Sequence, residues 1–232
     1  MSDDQLLEAA RRLSQILTPG DLDHTLSQIT AAAVEVLPDV AYASITVLHA
    51  DGRLETGAPT HELLLPVDAA QHELREGPCY QAAADSTHVI ASDLAADQRF
   101  PRYAAIAVAA GIRAQAGLPL FDAPQSSGAL NLYSRDIGAF EDLGALGVLF
   151  AHHSATALGY AKEVENLQEA VRTRGTIGKA VGIVMERYKL TDQRAFAFLA
   201  RLSQHGNLKL RVVAEQIVVE TEEQAEAAHT LP

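Results

Sequence analysis

The sequence predicts an α+β domain built on an antiparallel sheet with flanking helices, followed by a linking helix and an all-α three-helix bundle. Three observations carry this. Hydrophobic spacing is mixed up to about residue 160, where helical stretches alternate with short strand-like runs, and it is purely helical afterwards. Charge divides near the same place: residues 1–167 hold 9 Lys and Arg against 22 Asp and Glu, residues 168–219 hold 9 against 4, and residues 220–232 hold 0 against 4. A chain of 232 residues that is 48% hydrophobic can build one large core or two small ones. The net charge of −12 argues against non-specific nucleic-acid binding by the whole surface. The basic stretch, by contrast, reads as a separate module with an anionic partner.

Along the chain, apolar residues at 22, 26, 29, 33, 36 and 37 have helical spacing, and Asp21 is placed to cap that helix. Residues 43–48 alternate and end in Asp51-Gly52, a turn signal, which predicts a hairpin into "RLETGAP". Further strands are expected at His88–Ala91, Ala114–Leu120 and Ser127–Tyr133, with short helices over 68–75 and 101–110. A long helix begins near Phe140.

Beyond it, Tyr160, Val164, Leu167 and Val171 are spaced 4, 3 and 4 apart, the seam of a paired helix. The same spacing continues through Arg174, Gly178, Val181, Met185 and Tyr188. A helix near 191–204 follows, with Thr191 as its cap and Ala195, Phe196, Leu199 and Leu202 facing inward. Asn207 is then expected to cap a last helix that buries Leu210, Val213, Ala214 and Ile217. Gly175, Gly178 and Gly182 stand inside the linking helix, each less favourable than Ala by about 1 kcal/mol. Gly178 and Gly182 share a face, which predicts close approach of another helix; direct backbone contact with a ligand or nucleic acid is the alternative.

The stretch "RGTIGKAVGIVMERYKLTDQRAFAFLARLSQHGNLKLRVVAEQIV" resembles the ANTAR domain, the RNA-binding module of transcription antitermination regulators. The residues that carry the resemblance are Arg174, Ile177, Ala180, Gly182, Met185, Arg187, Ala195, Phe196, Leu199, Ser203, Asn207, Lys209, Leu210, Val213 and Ala214. Val181 departs from the pattern, since many members carry Lys there. The resemblance implies binding to RNA with tandem stem-loops, which stabilises an antiterminator. Lys179, Arg187, Arg201, Asn207, Lys209 and Arg211 are the expected RNA contacts; Ala180, Ala195, Phe196 and Leu199 are expected in the core.

Residues 20–160 resemble a GAF domain, a small-molecule sensor fold, through "GPC", "DLAADQR", Gly111-Ile112-Arg113 and "GALNLYS" in that order. This implies a six-stranded antiparallel sheet with helices on one face and a pocket on the other, and a homodimer formed through terminal helices. Domain limits of 1–158 for the sensor and 159–220 for the linking coiled-coil helix and ANTAR bundle follow. Residues 221–232 are then an acidic tail, read as a disordered solubilising extension, with shielding of the basic bundle as the alternative.

No ligand or cofactor is identified by these residues, and the Asn-Lys and Asp-Glu signature of cyclic-nucleotide GAF domains is missing. His49 and His88 read as structural or exposed rather than axial ligands; adjacent His152 and His153 point about 100° apart and cannot chelate one ion together. No metal site is assigned. Cys79 is the single cysteine, which suits a reducing cytoplasm. A buried structural thiol is the preferred reading, although a place near a helix N-terminus would lower its pKa and favour a redox or nucleophilic role. Methionine sulfoxide reduction, known among GAF domains, needs a second cysteine. No catalytic residues are assigned. The N-terminus "MSDDQLLEAARRL" lacks the form of a signal peptide, and Leu143–Ala161 is interrupted by His152, His153, Ser154 and Thr156, so no membrane partner is expected. The combined expectation is a cytoplasmic, signal-responsive antitermination regulator. A DNA-binding transcription factor is the first alternative, because helix-turn-helix modules are bundles of similar size. A GAF-domain enzyme is the second.

Overall fold

A computed structural model describes residues 11–12, 21–123, 126–141 and 143–229. The amphipathic N-terminal segment therefore lies almost wholly outside the described residues, as do residues 230–232. The chain divides into two compact units, Met1–Glu163 and Val164–Pro232.

The first unit opens with α1, Leu22–Val36, capped as its sequence predicts: Asp21 Oδ1 accepts the His24 N–H at 2.8 Å. The hairpin of β1, Tyr42–His49, and β2, Leu54–Gly57, follows, with Gly52 at φ +81° in the turn. Next come α2 (Leu64–Leu74), α3 (Pro78–Asp85), β3 (Val89–Ala91) and α4 (Pro101–Ala109). The sheet is completed by β4, Ala114–Ala123, and β5, Ser126–Ser134. The strand order is β2-β1-β5-β4-β3, antiparallel at every pairing.

Two expectations are corrected here. The sheet has five strands among the described residues, not six; after β2 the chain leaves the ladder through Ala58 at φ +45° and Pro59. Helices cover both faces rather than one. On one face Ala43, Ile45, Leu118, Leu130 and Leu132 pack with Ile29 and Ala33 of α1 and with Leu146, Phe150 and Leu158 of the next helix. On the other face α2, α3 and α4 bring Leu64, Val67, Ala82, Phe100 and Tyr103 against Ala129 and Tyr133. Helix α3, for which the sequence offered only a helix start near Cys79, begins where Gly77 at φ +132° turns the chain and Pro78 occupies the first helical position. It lies directly on β4, where a Cβ on Gly117 would come within 2.6 Å of the Ala82 Cβ.

Helix α5, Gly144–Tyr188, supplies residues to both units; its start follows Phe140, at φ +74°, by a few residues. The second unit combines its C-terminal part with α6, Asp192–Gly206, and α7, Leu210–His229. Their core is Ala180, Val181, Val184, Ala195, Leu199, Val213 and Ala214. Phe196 and Leu202 do not join it and are exposed. Half-buried Phe198 packs there instead, its ring 5.6 Å from that of Tyr188, because Ala195, Phe198, Leu199 share a face from which Phe196 is turned by about 100°. Val181 also turns into this core and leaves the seam.

Asn207 does not cap α7. It is the C-cap of α6, at φ +50°, a left-handed position that Asn tolerates better than most residues. Thr191 has the backbone conformation of an N-cap, but its side chain makes no capping bond. The acidic tail is not disordered through its length, since α7 continues to His229. No helix of this chain packs on the glycine face: among the described residues a Cβ added at Gly175, Gly178 or Gly182 meets nothing within 4 Å.

Candidate functional site

In the second unit the expected RNA contacts fall into two groups and one isolated side chain. Lys179 and Arg187 project from α5 into a surface groove shared with Gly182, Ile183, Val218, Thr221 and Glu222. Arg187 Nη2 donates to Thr221 Oγ1 at 3.3 Å and to Gln224 Oε1 at 3.5 Å, so the beginning of the acidic stretch lies beside this basic pair. Asn207, Lys209 and Arg211 follow one another at the α6–α7 corner. That corner is fixed by Ser203, whose Oγ donates to the Leu208 carbonyl at 2.6 Å while its own carbonyl accepts the Leu208 N–H at 3.0 Å. Arg211 Nη1 approaches Glu169 Oε1 at 3.6 Å. Arg201 stands apart on α6, its Nε donating to the Ala197 carbonyl. Lys179, Arg201 and Lys209 have no ion-pair partner among the described residues.

Tyr160, Val164, Leu167 and Val171 are 42–71% exposed. With Val181 drawn into the core, the outward line of α5 past Val171 runs instead through Gly175, Gly178 and Gly182, at spacings of 4, 3 and 4. The expected continuation of this spacing through Val181 and Met185 is taken up by the core, and only Gly178 is common to both lines. A strict seven-residue repeat and a straight helix of 3.6 residues per turn diverge by about 20° per heptad.

In the first unit the sheet face beneath α2, α3 and α4 is polar where an apolar layer is ordinary. Ser44, Thr46, Gln115 and Asn131 of the sheet are all buried there, with Asp68 and Gln71 of α2. Register explains their meeting: Ser44 is the cross-strand partner of Asn131, and Gln115 of Tyr133. The Asp68 carboxylate accepts from Ser44 Oγ at 2.8 Å and from the Tyr133 hydroxyl. Asn131 Nδ2 donates to Ser44 Oγ at 2.9 Å and Thr46 Oγ1 at 2.8 Å, while its buried Oδ1 has no hydrogen-bond partner among the described residues. Burial raises the Asp68 pKa to about 6, against the lowering effect of hydrogen bonds from Tyr133, Ser44, Thr56 and Gln71.

Cys79 completes this cluster. Its N–H donates to Gln71 Oε1 at 3.0 Å, and its sulfur accepts from Gln115 Nε2. The thiol does lie in the first turn of a helix, but its pKa is not lowered. Burial, aided by the nearby Asp68 charge, pushes it well up, so the thiol is protonated and enclosed. His49 pairs with Glu55 at 3.3 Å, and His88 is exposed. Among the described residues no group of three or more His, Cys, Asp or Glu is placed to hold a metal ion, and no helix is long and apolar enough to cross a membrane.

The polar cluster was not anticipated from sequence. Its members are scattered from Ser44 to Tyr133 and show no spacing of their own. Only strand alternation, with Ser44 and Thr46 on the face opposite Ala43 and Ile45, hinted at a second, polar side.

Comparison with known families agrees with this architecture. The GAF domain family matches residues 20–159, and the ANTAR domain family matches residues 165–218. The chain belongs to the GAF domain family and carries an ANTAR domain. No protein of curated function matches it by sequence. The GAF fold recurs in solved structures of low identity. A free methionine-R-sulfoxide reductase from Neisseria meningitidis, solved in complex with its substrate, is 18% identical with a TM-score of 0.55, over 71% of this chain and 95% of that one. The GAF domain of an Acinetobacter phosphoenolpyruvate-protein phosphotransferase is 17% identical with a TM-score of 0.51, over 72% and 99%. A bacteriophytochrome from R. palustris is 12% identical with a TM-score of 0.56, over 79% and 43%. Such identities establish the fold alone. An ANTAR domain is an RNA-binding antitermination module and a GAF domain a sensor, a pairing that belongs to a regulator rather than an enzyme.

Proposed function

We propose that this protein is a signal-responsive regulator that acts by transcription antitermination: the GAF domain senses, and the ANTAR bundle binds RNA carrying tandem stem-loops. The observation that carries the reading is the match of a basic three-helix unit, with its cations exposed, to the ANTAR family over 165–218. Lys179, Arg187, Arg201, Lys209 and Arg211 neutralise phosphates, and Asn207 at the α6–α7 corner contacts unpaired nucleotides. Two copies pair through Tyr160, Val164, Leu167 and Val171, and a small molecule in the GAF domain biases presentation of the paired bundles. The functional boundary then lies at 158/159, inside α5, and the protein works in the cytoplasm.

Fluorescence anisotropy of the full chain with a tandem stem-loop RNA, a scrambled RNA and a DNA duplex at two salt concentrations tests the reading. Selective stem-loop binding is expected, and Lys209→Ala with Arg211→Ala should reduce the salt slope by about 1.5. Equal or tighter binding to the duplex would favour the DNA-binding alternative.

A further inference from the structure

Phe196 is the residue whose sequence expectation and position disagree most plainly. It was expected in the core, yet it is 46% exposed, and Phe198 does the packing instead. On a helix, Ala200, Ser203 and Asn207 follow Phe196 on the same face, at 4, 7 and 11 residues. Ala200 and Ser203 are small, so the ring stands clear of its neighbours along that face. Gln193 lies one turn before it, and Gln204 sits beside Ser203. The side chains of Gln193, Gln204 and Asn207 are exposed and have no hydrogen-bond partner among the described residues. The strip from Phe196 to Asn207 spans roughly 16 Å. From Phe196 to Asn207 it carries no charged side chain; exposed Asp192 lies one turn before the ring, Lys209 follows Asn207 by two residues, and Arg194 and Arg201 are turned about 150° from Phe196, across the helix. A bare ring with uncommitted amides beside it and Lys209 at its far end suits an unpaired nucleotide. Rings take base faces, amides pair with base edges, and cations take phosphates.

We infer that Phe196 is the stacking platform for an unpaired loop base of the bound RNA, with Gln193, Gln204 and Asn207 reading base edges along the same strip. This rests on the RNA-binding reading above and adds which face of the ANTAR domain meets the loop.

The test uses the full-length chain and a stem-loop RNA carrying single abasic substitutions at successive loop positions. Phe196→Leu keeps apolar bulk without a ring, and Phe196→Tyr keeps the ring. The leucine variant should bind intact RNA roughly 10- to 100-fold more weakly with unchanged thermal stability, and the tyrosine variant should bind as the wild type does. At one loop position the abasic substitution should weaken the wild type about tenfold and the leucine variant not at all. A purely structural role would not produce that coupling. Leucine-variant affinity within about twofold of wild type, or an equal abasic penalty in both proteins, overturns the inference. A reduced dimer fraction of the leucine variant without RNA also overturns it, because Phe196 would then be a protomer contact. Failure of the wild type to select any stem-loop would instead bring down the RNA-binding reading itself.

Discussion

The two domains break the ordinary burial rule in opposite directions. The GAF domain encloses Asp68, Gln115, Asn131 and Ser44, while the ANTAR domain and the helix leading to it expose Leu167, Val171 and Phe196. Fully buried carboxylates and amides are rare, and contiguous exposed apolar side chains mark contact surfaces. In one domain the exception lies inside, where it can respond to what enters. In the other it lies outside, where it can meet a partner. Local violations of patterning are where function is sought in both.

The largest expected effect addresses the interior exception. Burial holds the Asp68 pKa near 6 in the folded protein, above the 3.8 of an exposed aspartate, so folding favours the protonated form. Its contribution to stability is full below pH 3.8 and is lost as pH rises through about 6, a decline of about 3 kcal/mol. Urea unfolding from pH 3.5 to 7.5 should show that decline in the wild type and its loss in Asp68→Asn. A difference between the two proteins that stays constant with pH would remove Asp68 as a titrating member of the cluster.

The exterior exception is tested next. Leu167→Asp places a charge in the exposed seam and should weaken both self-association and RNA binding roughly 30-fold, about 2 kcal/mol, with the GAF domain still folded. Sedimentation and anisotropy read the two quantities together, and an unchanged dimer fraction and affinity would sink the paired-helix reading. Gly178→Ala sharpens the same comparison. The added methyl meets nothing, so helix propensity alone should stabilise the ANTAR bundle by about 1 kcal/mol in thermal unfolding. If the glycine face is an approach surface, the same variant loses dimer or RNA affinity while gaining stability. The smallest effect concerns the acidic continuation of α7. Neutralising Glu220, Glu222 and Glu223 to Gln should raise RNA affinity about threefold at low salt and have no effect at high salt. An unchanged affinity at low salt would show that the stretch does not shield the basic groove.

Much of the fold was legible because it depends on local rules. Asp21, the Asp51-Gly52 turn and the alternation around β1 identify their elements from a few neighbouring residues. Gly77-Pro78 marks the start of helix α3, but its extent was not legible, because eight residues with three alanines offer little amphipathic signal. Phe196 was misplaced because a helical pattern of apolar residues does not say which of two adjacent faces, that of Phe196 or of Phe198, meets the core. The polar cluster was out of reach for another reason. It exists only once β1, β4 and β5 are in register and α2 is laid across them.

The contact at Gly117 has a kinetic consequence. With α3 seated on β4 and no standoff at that glycine, nothing reaches Cys79 or Gln115 by diffusion through a standing opening on that side. Pro78, Cys79, Ala82 and Ala83 hold α3 against the sheet, and an eight-residue helix does not persist by itself in water, so a visitor to the cluster from that side must wait for α3 to detach as a unit. The response time of the sensor would then be set by that local opening rather than by the encounter rate. Hydrogen–deuterium exchange would show it as amides of α3 exchanging well ahead of those of β4; equal protection of the two would place the entrance elsewhere.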